Sequence, residues 1–380
     1  MKLQDLLIPF SYHILYNRCK ENQCISISPY IYNQEIQNID VFILGYLEDR
    51  NSNNIGATQA AAIIREQLYK LYSTSHKLNI LDLGDCILGK TVKESYFVLQ
   101  EVLKILKSFD KPIVIIGGTQ EASYSIAKEY FKKLHFPTFT YIDSKLDIDL
   151  KSEDFSNINY IQKIQNINQN VRIVNIANQE CLSHISSFNW FKTNYFPLNR
   201  LGDVLQTRIN TEPLIRDAQI VSFDATSIRN SDFMANVDTN PIGLFSEDAC
   251  QLGWYSGFSP NMKVFHFSEF NPTMDTNNVS SKLSAHVVWH VLDGISQRKS
   301  IFLDFSAENY KCYYVKNNFL EQDLRFFEDF TTHQLWVEIP LKKKNKKRII
   351  PCSKSDYQCF IDDDLPENWM MEFNRVYHKS

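Results

Sequence analysis

Short apolar runs rich in β-branched residues recur along this chain, and most are followed by a stretch with helical apolar spacing. Residues 41–45 (VFILG), 78–83, 112–116 (PIVII), 138–142, 172–176, 218–223 and 264–267 read as strands. Between them, 57–72 carries Ala60, Ile64, Leu68 and Leu71 on one helical face, and 93–109 carries Leu99, Val102, Leu103 and Leu106. Segment 122–134 follows the third run, and 282–295 has its own stripe of Leu283, Val287, Leu292 and Ile295. Strands that are apolar throughout must be covered on both faces, and amphipathic helices between them supply the cover. The pattern predicts an α/β chain: a three-layer α/β/α sandwich on a mostly parallel, doubly wound sheet. Eleven Gly and twelve Pro in 380 residues are about half the usual share, which excludes a collagen-like or Pro/Gly-rich disordered chain.

Other classes fall away on composition. The formal net charge is −4, so no basic field points to nucleic acid. No run of apolar residues is long enough to span a membrane, and the N-terminal stretch, broken by Pro9 and His13, is a poor signal peptide. Eight cysteines without a CxxC pair suit free thiols in a reducing compartment, so the expected location is the cytoplasm. Nine histidines look at first like ample stock for a metal enzyme.

In such folds ligands gather at the carboxyl ends of the strands, so the residues after each apolar run matter most. The third run ends in GGTQEA (117–122), the fourth in DSKLDID (143–149), the sixth in DATSIRN (224–230) and the seventh in SEFNPTMD (268–275). Taken in order these strand ends resemble the ureohydrolase superfamily, which comprises arginase, agmatinase and formimidoylglutamase. The resemblance spans roughly residues 39–298. The most specific match is Glu269, Asn271, Pro272 and Asp275, similar to the family's E-x-N-P-x-x-D, with support from Ile64-Arg65 and from LDLGD at 81–85.

The resemblance implies two Mn²⁺ ions in a strand-end cleft, delivering hydroxide to the carbon of a guanidinium or linear amidine. Six side chains hold those ions in the family, in the motifs G-G-D-H, D-A-H-x-D and S-F-D-x-D. This chain departs from half of them. The first His position is Gln120, the second is Lys145, and the last Asp position is Thr226, while Asp143, Asp147 and Asp224 remain. None of the nine histidines falls at a metal position, and none lies between His135 and His184 to serve as the arginase proton shuttle. What is left is an all-oxygen set, Asp143, Asp147, Asp224 and Gln120, a vestigial site suited at most to a single divalent ion (Mg, Ca or Mn). Lys145 is expected to stand where a metal charge stood, neutralising the three aspartates.

The leading expectation is therefore a catalytically impaired or inactive arginase-family protein acting as a binding or scaffold protein, with no cofactor. The alternative is a metal-dependent hydrolase of C–N bonds in formimidoylglutamate, arginine or agmatine, working through one ion or through Lys145 as a base. Glu269, at the family's substrate-side glutamate, is the candidate to receive a cationic amino-acid ligand. A structural role in the Asn271–Pro272 turn is its bland counterpart. Asp248 reads as a helix-start cap, the pair His286 and His290 as core, and the basic run 342–348 as a solvated loop or a docking patch for an unknown protein partner. Homo-oligomerisation is left open. The expected organisation is an N-terminal extension (1–38), a ureohydrolase-like domain (39–298) and a C-terminal extension packed on it (299–380).

Overall fold

The computed structural model describes residues 2–10, 25–31, 36–152, 155–298, 305, 308–320, 323–341 and 347–379. In chain order its strands are β1 (Leu7–Ile8), β2 (Ile27–Pro29), β3 (Val41–Gly45), β4 (Ile80–Cys86), β5 (Ile113–Ile116), β6 (Thr138–Ile142), β7 (Arg172–Asn178), β8 (Leu198–Arg200), β9 (Ile220–Asp224), β10 (Val264–Ser268), β11 (Tyr310–Val315), β12 (Leu324–Asp329), β13 (Leu335–Pro340) and β14 (Lys347–Cys352). The first ten form one sheet in the order β1-β4-β3-β5-β10-β9-β6-β7-β8, with β2 also on β4. Every pairing in it is parallel except β1 with β4.

Side chains alternate across each strand, which divides the apolar residues between two cores. In β3, Val41 and Ile43 face one core and Phe42 and Leu44 the other, and β5 splits Val114 and Ile116 from Ile113 and Ile115 in the same way. Helices Ala60–Leu68, Ser246–Phe258 and Val279–Ser296 cover the first face. Helices Val92–Leu106, Ala122–Tyr130 and Tyr160–Ile167 cover the second. The three-layer sandwich expected from the sequence is thus the fold observed.

The last four strands make a separate antiparallel sheet, β11-β12-β13-β14, with its own core around Phe326, Val337, Phe360 and Trp369. It is tied to the main body by charge as well as packing. Arg348 of β14 donates to Asp217 Oδ2 at 3.0 Å and also to Glu372, and Arg375 reaches the Asn170 carbonyl at 2.7 Å. The basic run is corrected accordingly at its end: Arg348 is buried rather than solvated, and residues 342–346 lie outside the described residues. His286 and His290 are corrected too. They lie on the outer side of the helix Val279–Ser296, exposed and half-buried. No described helix is long and apolar enough to cross a membrane.

Candidate functional site

Four adjacent strands of the sheet, β5, β10, β9 and β6, end side by side, and their ends carry Gln120, Glu269, Asp224 and Asp143 with Asp147. The turn after β5 is made by Gly117 (φ +88°) and Gly118 (φ +70°); a Cβ on Gly118 would come within 2.7 Å of the Tyr46 ring. Only glycine fits there, and the turn delivers Thr119 and Gln120 to the strand end. Asp147 (φ +47°) and Glu269 (φ +64°) also take left-handed backbone, a conformation that costs a non-glycine residue energy and clusters at functional sites. Gln120, Lys145, Asp147, Asp224, Thr226 and Glu269 line a cleft of about 390 Å³. Asp143 lies beneath them, 1% exposed.

The side chain at the centre is Gln120. With its amide oriented by its partners, Nε2 lies 2.9 Å from Asp143 Oδ2, 2.9 Å from Asp147 Oδ2 and 3.2 Å from Asp224 Oδ2, while Oε1 accepts from the Tyr160 hydroxyl at 3.1 Å. The remaining oxygens are held from the backbone. Lys145 N–H donates to Asp143 Oδ1 at 2.8 Å, and Thr226 N–H donates to Asp224 Oδ1 at 2.6 Å. Asp143 and Asp147 also shift each other's ionisation.

Glu269 is fixed on both oxygens: the Gln120 backbone N–H donates to Oε1 at 2.9 Å and the Asn54 amide to Oε2 at 3.0 Å. Asn271 in turn holds Asn54 at 3.1 Å. Both the cleft-facing position and the hydrogen bonds expected of a turn carboxylate are therefore present at once. Asp248 caps as expected, accepting the Phe245 N–H at 3.0 Å.

Lys145 is placed differently from the expectation. Its ammonium makes an ion pair with Asp238, which also lines the cleft, and keeps a third of its surface exposed. It acts on Asp143 and Asp147 through the field rather than by contact. The group standing among the three aspartates is the Gln120 amide.

Packing this many carboxyls out of water disfavours their ionised forms. Burial, reinforced by Asp147, pushes Asp143 well above the usual carboxylate range, and burial with the charge of Asp143 does the same to Asp224. Burial pushes Asp147 up to about 7, and burial with Asp224 nearby pushes Glu269 up to about 8. Glu121, next in sequence to Gln120, is pushed up to about 8 by burial and by Glu269. The Asp238 pair holds the Lys145 ammonium above its ordinary value despite its partial burial.

A two-ion centre of the kind the resemblance implies does not fit this set. An ammonium has no lone pair for a metal, and Lys145 and Thr226 stand where two ligands of the second ion would be. Among the described residues no group of three or more His, Cys, Asp and Glu is arranged to hold a metal ion. A single hard ion could use Asp143, Asp147 and Asp224 only if the Gln120 amide turned to present its oxygen. Sequence reasoning missed Tyr160, Asn54 and Asp238. Each is an ordinary residue in a helix or loop with no motif to mark it.

No family model matches the chain. Formimidoylglutamase of Bacillus subtilis is 21% identical over 271 residues, covering 66% of this chain and 85% of that protein. Among solved structures, Trypanosoma cruzi formiminoglutamase with Mn²⁺ superposes with TM-score 0.65 at 19% identity, over 70% of this chain and 97% of that one. The Bacillus subtilis formimidoylglutamase structure gives 0.65 at 18% identity, over 73% and 94%. Agmatine ureohydrolase of Thermoplasma volcanium gives 0.59 at 18%, over 68% and 90%. The C-terminal antiparallel sheet is an addition to the strand order these proteins share. The chain therefore has the fold of the arginase/ureohydrolase proteins, and its distant sequence match is to one of them.

Proposed function

We propose that this protein binds a cationic ligand in the strand-end cleft and does not carry out two-metal hydrolysis. The observation that carries the reading is the ammonium of Lys145, paired with Asp238 in the cleft wall at a position where the superfamily resemblance calls for a metal ligand. Two dications activate a bridging water by lowering its pKa. A fixed ammonium contributes one charge, ligates nothing and repels an incoming dication. Asp147, Asp224 and Glu269 line the cleft as carboxyls that burial holds toward their protonated forms, and they would receive, by ionising against it, a guanidinium or linear amidine such as the ligands for which the formimidoylglutamase and agmatine ureohydrolase relatives are named. Glu269 is the residue we assign to receive it. Lys145 acting as a general base is disfavoured, because its pair with Asp238 favours the protonated form.

The test is calorimetry of the full chain with arginine, agmatine and formimidoylglutamate, run beside assays for urea, ammonia and formamide. The expected result is binding of at least one of these without product, lost in Glu269→Gln. Release of product by protein loaded with Mn²⁺ would overturn the reading.

A further inference from the structure

We infer that Gln120 is a built-in occupant of the cation position: its carboxamide nitrogen meets the three converging carboxylates from within, and so keeps a divalent ion out of the site. The Gln120 amide is assigned nitrogen-inward because its inward atom lies 2.9, 2.9 and 3.2 Å from oxygens of Asp143, Asp147 and Asp224, against which an amide oxygen would be repelled. Those three residues sit on two strand ends, and Gln120 is the side chain that lies within hydrogen-bond distance of all three. Lys145 does not, since its ammonium is engaged by Asp238.

The amide is held in this role from both ends. Its oxygen accepts from the Tyr160 hydroxyl at 3.1 Å, and Tyr160 is fully buried at the start of the helix Tyr160–Ile167. The Gln120 backbone is pinned through its own N–H to Glu269 Oε1 at 2.9 Å. One amide nitrogen carries two hydrogens, so it serves two of the three carboxyl oxygens at a time, with the Tyr160 hydroxyl also 3.2 Å away. A dication entering this space would meet the hydrogen side of the amide. To ligate, the amide must turn its oxygen inward and leave the two N–H groups without the carboxylates that satisfy them, a loss of charge-assisted hydrogen bonds that only a strongly bound ion could offset.

The role is specific to a carboxamide at this position. A carboxylate of the same length offers oxygen in place of N–H, so Gln120→Glu should convert the cluster from one that excludes a divalent ion into one that requires it. Gln120→His, which offers a ring nitrogen, should act in the same direction. The inference shares with the proposed function the absence of a two-ion centre, but the two can fail separately. A wild-type chain that takes up one ion and hydrolyses nothing overturns the role of Gln120 and leaves the binding reading standing.

The experiment is equilibrium dialysis of the wild-type full chain, Gln120→Glu and Gln120→His against MnCl₂ near neutral pH, with thermal melting followed with and without Mn²⁺. The expected result is no uptake by the wild type above a protein-free blank, and one ion per chain in Gln120→Glu. Added donor charge should tighten Mn²⁺ binding by at least about tenfold over wild type, with a melting temperature that rises on addition of the metal only in the variants. Should Gln120→Glu fail to fold alone, its recovery on refolding with Mn²⁺ supports the inference. Stoichiometric uptake by the wild type overturns it, as does a folded variant, either one, that binds no more Mn²⁺ than wild type.

Discussion

Asp147 shows how far a single position can depart from its ordinary chemistry in this cleft. Burial foremost, with Asp224 adding to it, raises its pKa to about 7 from 3.8, so the folded state holds a proton that the unfolded chain releases. A carboxyl with a raised folded pKa lends stability at low pH and loses it as pH climbs from its unfolded value through its folded one. Asp147→Asn removes that loss while keeping the shape. The expected outcome in urea denaturation is a gain of about 4 kcal/mol at pH 8, with little or no gain at pH 4. A variant destabilised at pH 8 would mean that the carboxylate is ionised and paired with a cation in the wild type. Lys145→Met makes a second prediction at this scale. Its ion pair with Asp238 is partly solvated, so its removal should cost no more than about 1 kcal/mol, measured in the same way. A much larger loss would show that the ammonium neutralises the aspartates directly, as the sequence alone had suggested.

Between elements, the junction of the C-terminal sheet with the main body rests on a buried charge cluster. Glu372 on the helix Glu367–Lys379 accepts from Arg348 of β14 and from Arg375, the latter at 2.8 and 2.6 Å, and Arg172 of β7 stands 3.5 Å away. These guanidinium groups hold its carboxyl well below the usual range despite its burial. Glu372→Gln leaves the buried arginines undercompensated and should destabilise the fold by about 3–5 kcal/mol. Unfolding monitored by tryptophan fluorescence checks this, and a loss under about 1 kcal/mol would contradict it. None of this cluster was legible in the sequence, where Arg348 merely ends a lysine-rich run; burial is set by partners distant along the chain. Seven of the ten main-sheet strands were legible because they are largely apolar on both faces, as 113–116 shows, whereas β1, β2 and β8 are only two or three residues long and carry no such run. Of the helix Ser246–Phe258 only the start was legible, through Asp248. Its contact face uses small residues, and a Cβ on Gly257 would lie 2.0 Å from the Val291 carbonyl oxygen, so close packing against the helix Val279–Ser296 leaves no apolar stripe to read.

For the molecule as a whole, the site was legible as a set of positions and illegible as a set of contacts. Strand order brings Gln120, Asp143, Asp147, Asp224 and Glu269 together as their places after the apolar runs imply. Which of Gln120 and Lys145 stands among the carboxylates depends on side-chain reach and on Asp238, far along the chain in an unmarked loop. The cluster also sets the pH response of the fold. Asp147 at about 7, with Glu121 and Glu269 at about 8, all have folded values raised above their unfolded ones, so each withdraws stability as pH rises from about 4.5 to 8. Glu372, lowered instead, withdraws stability only as pH falls below its unfolded range. Thermal stability should therefore peak on the mildly acidic side and decline toward pH 8 in metal-free buffer. A flat or rising profile would indicate a cation held in the cluster. The most direct measurement is the metal content of the full chain purified without chelator, determined by elemental analysis for Mn, Mg, Ca and Zn. The expected result is no metal in stoichiometric amount; one ion per chain would contradict the exchange of metal for the Gln120 amide, and two would contradict that for the Lys145 ammonium as well.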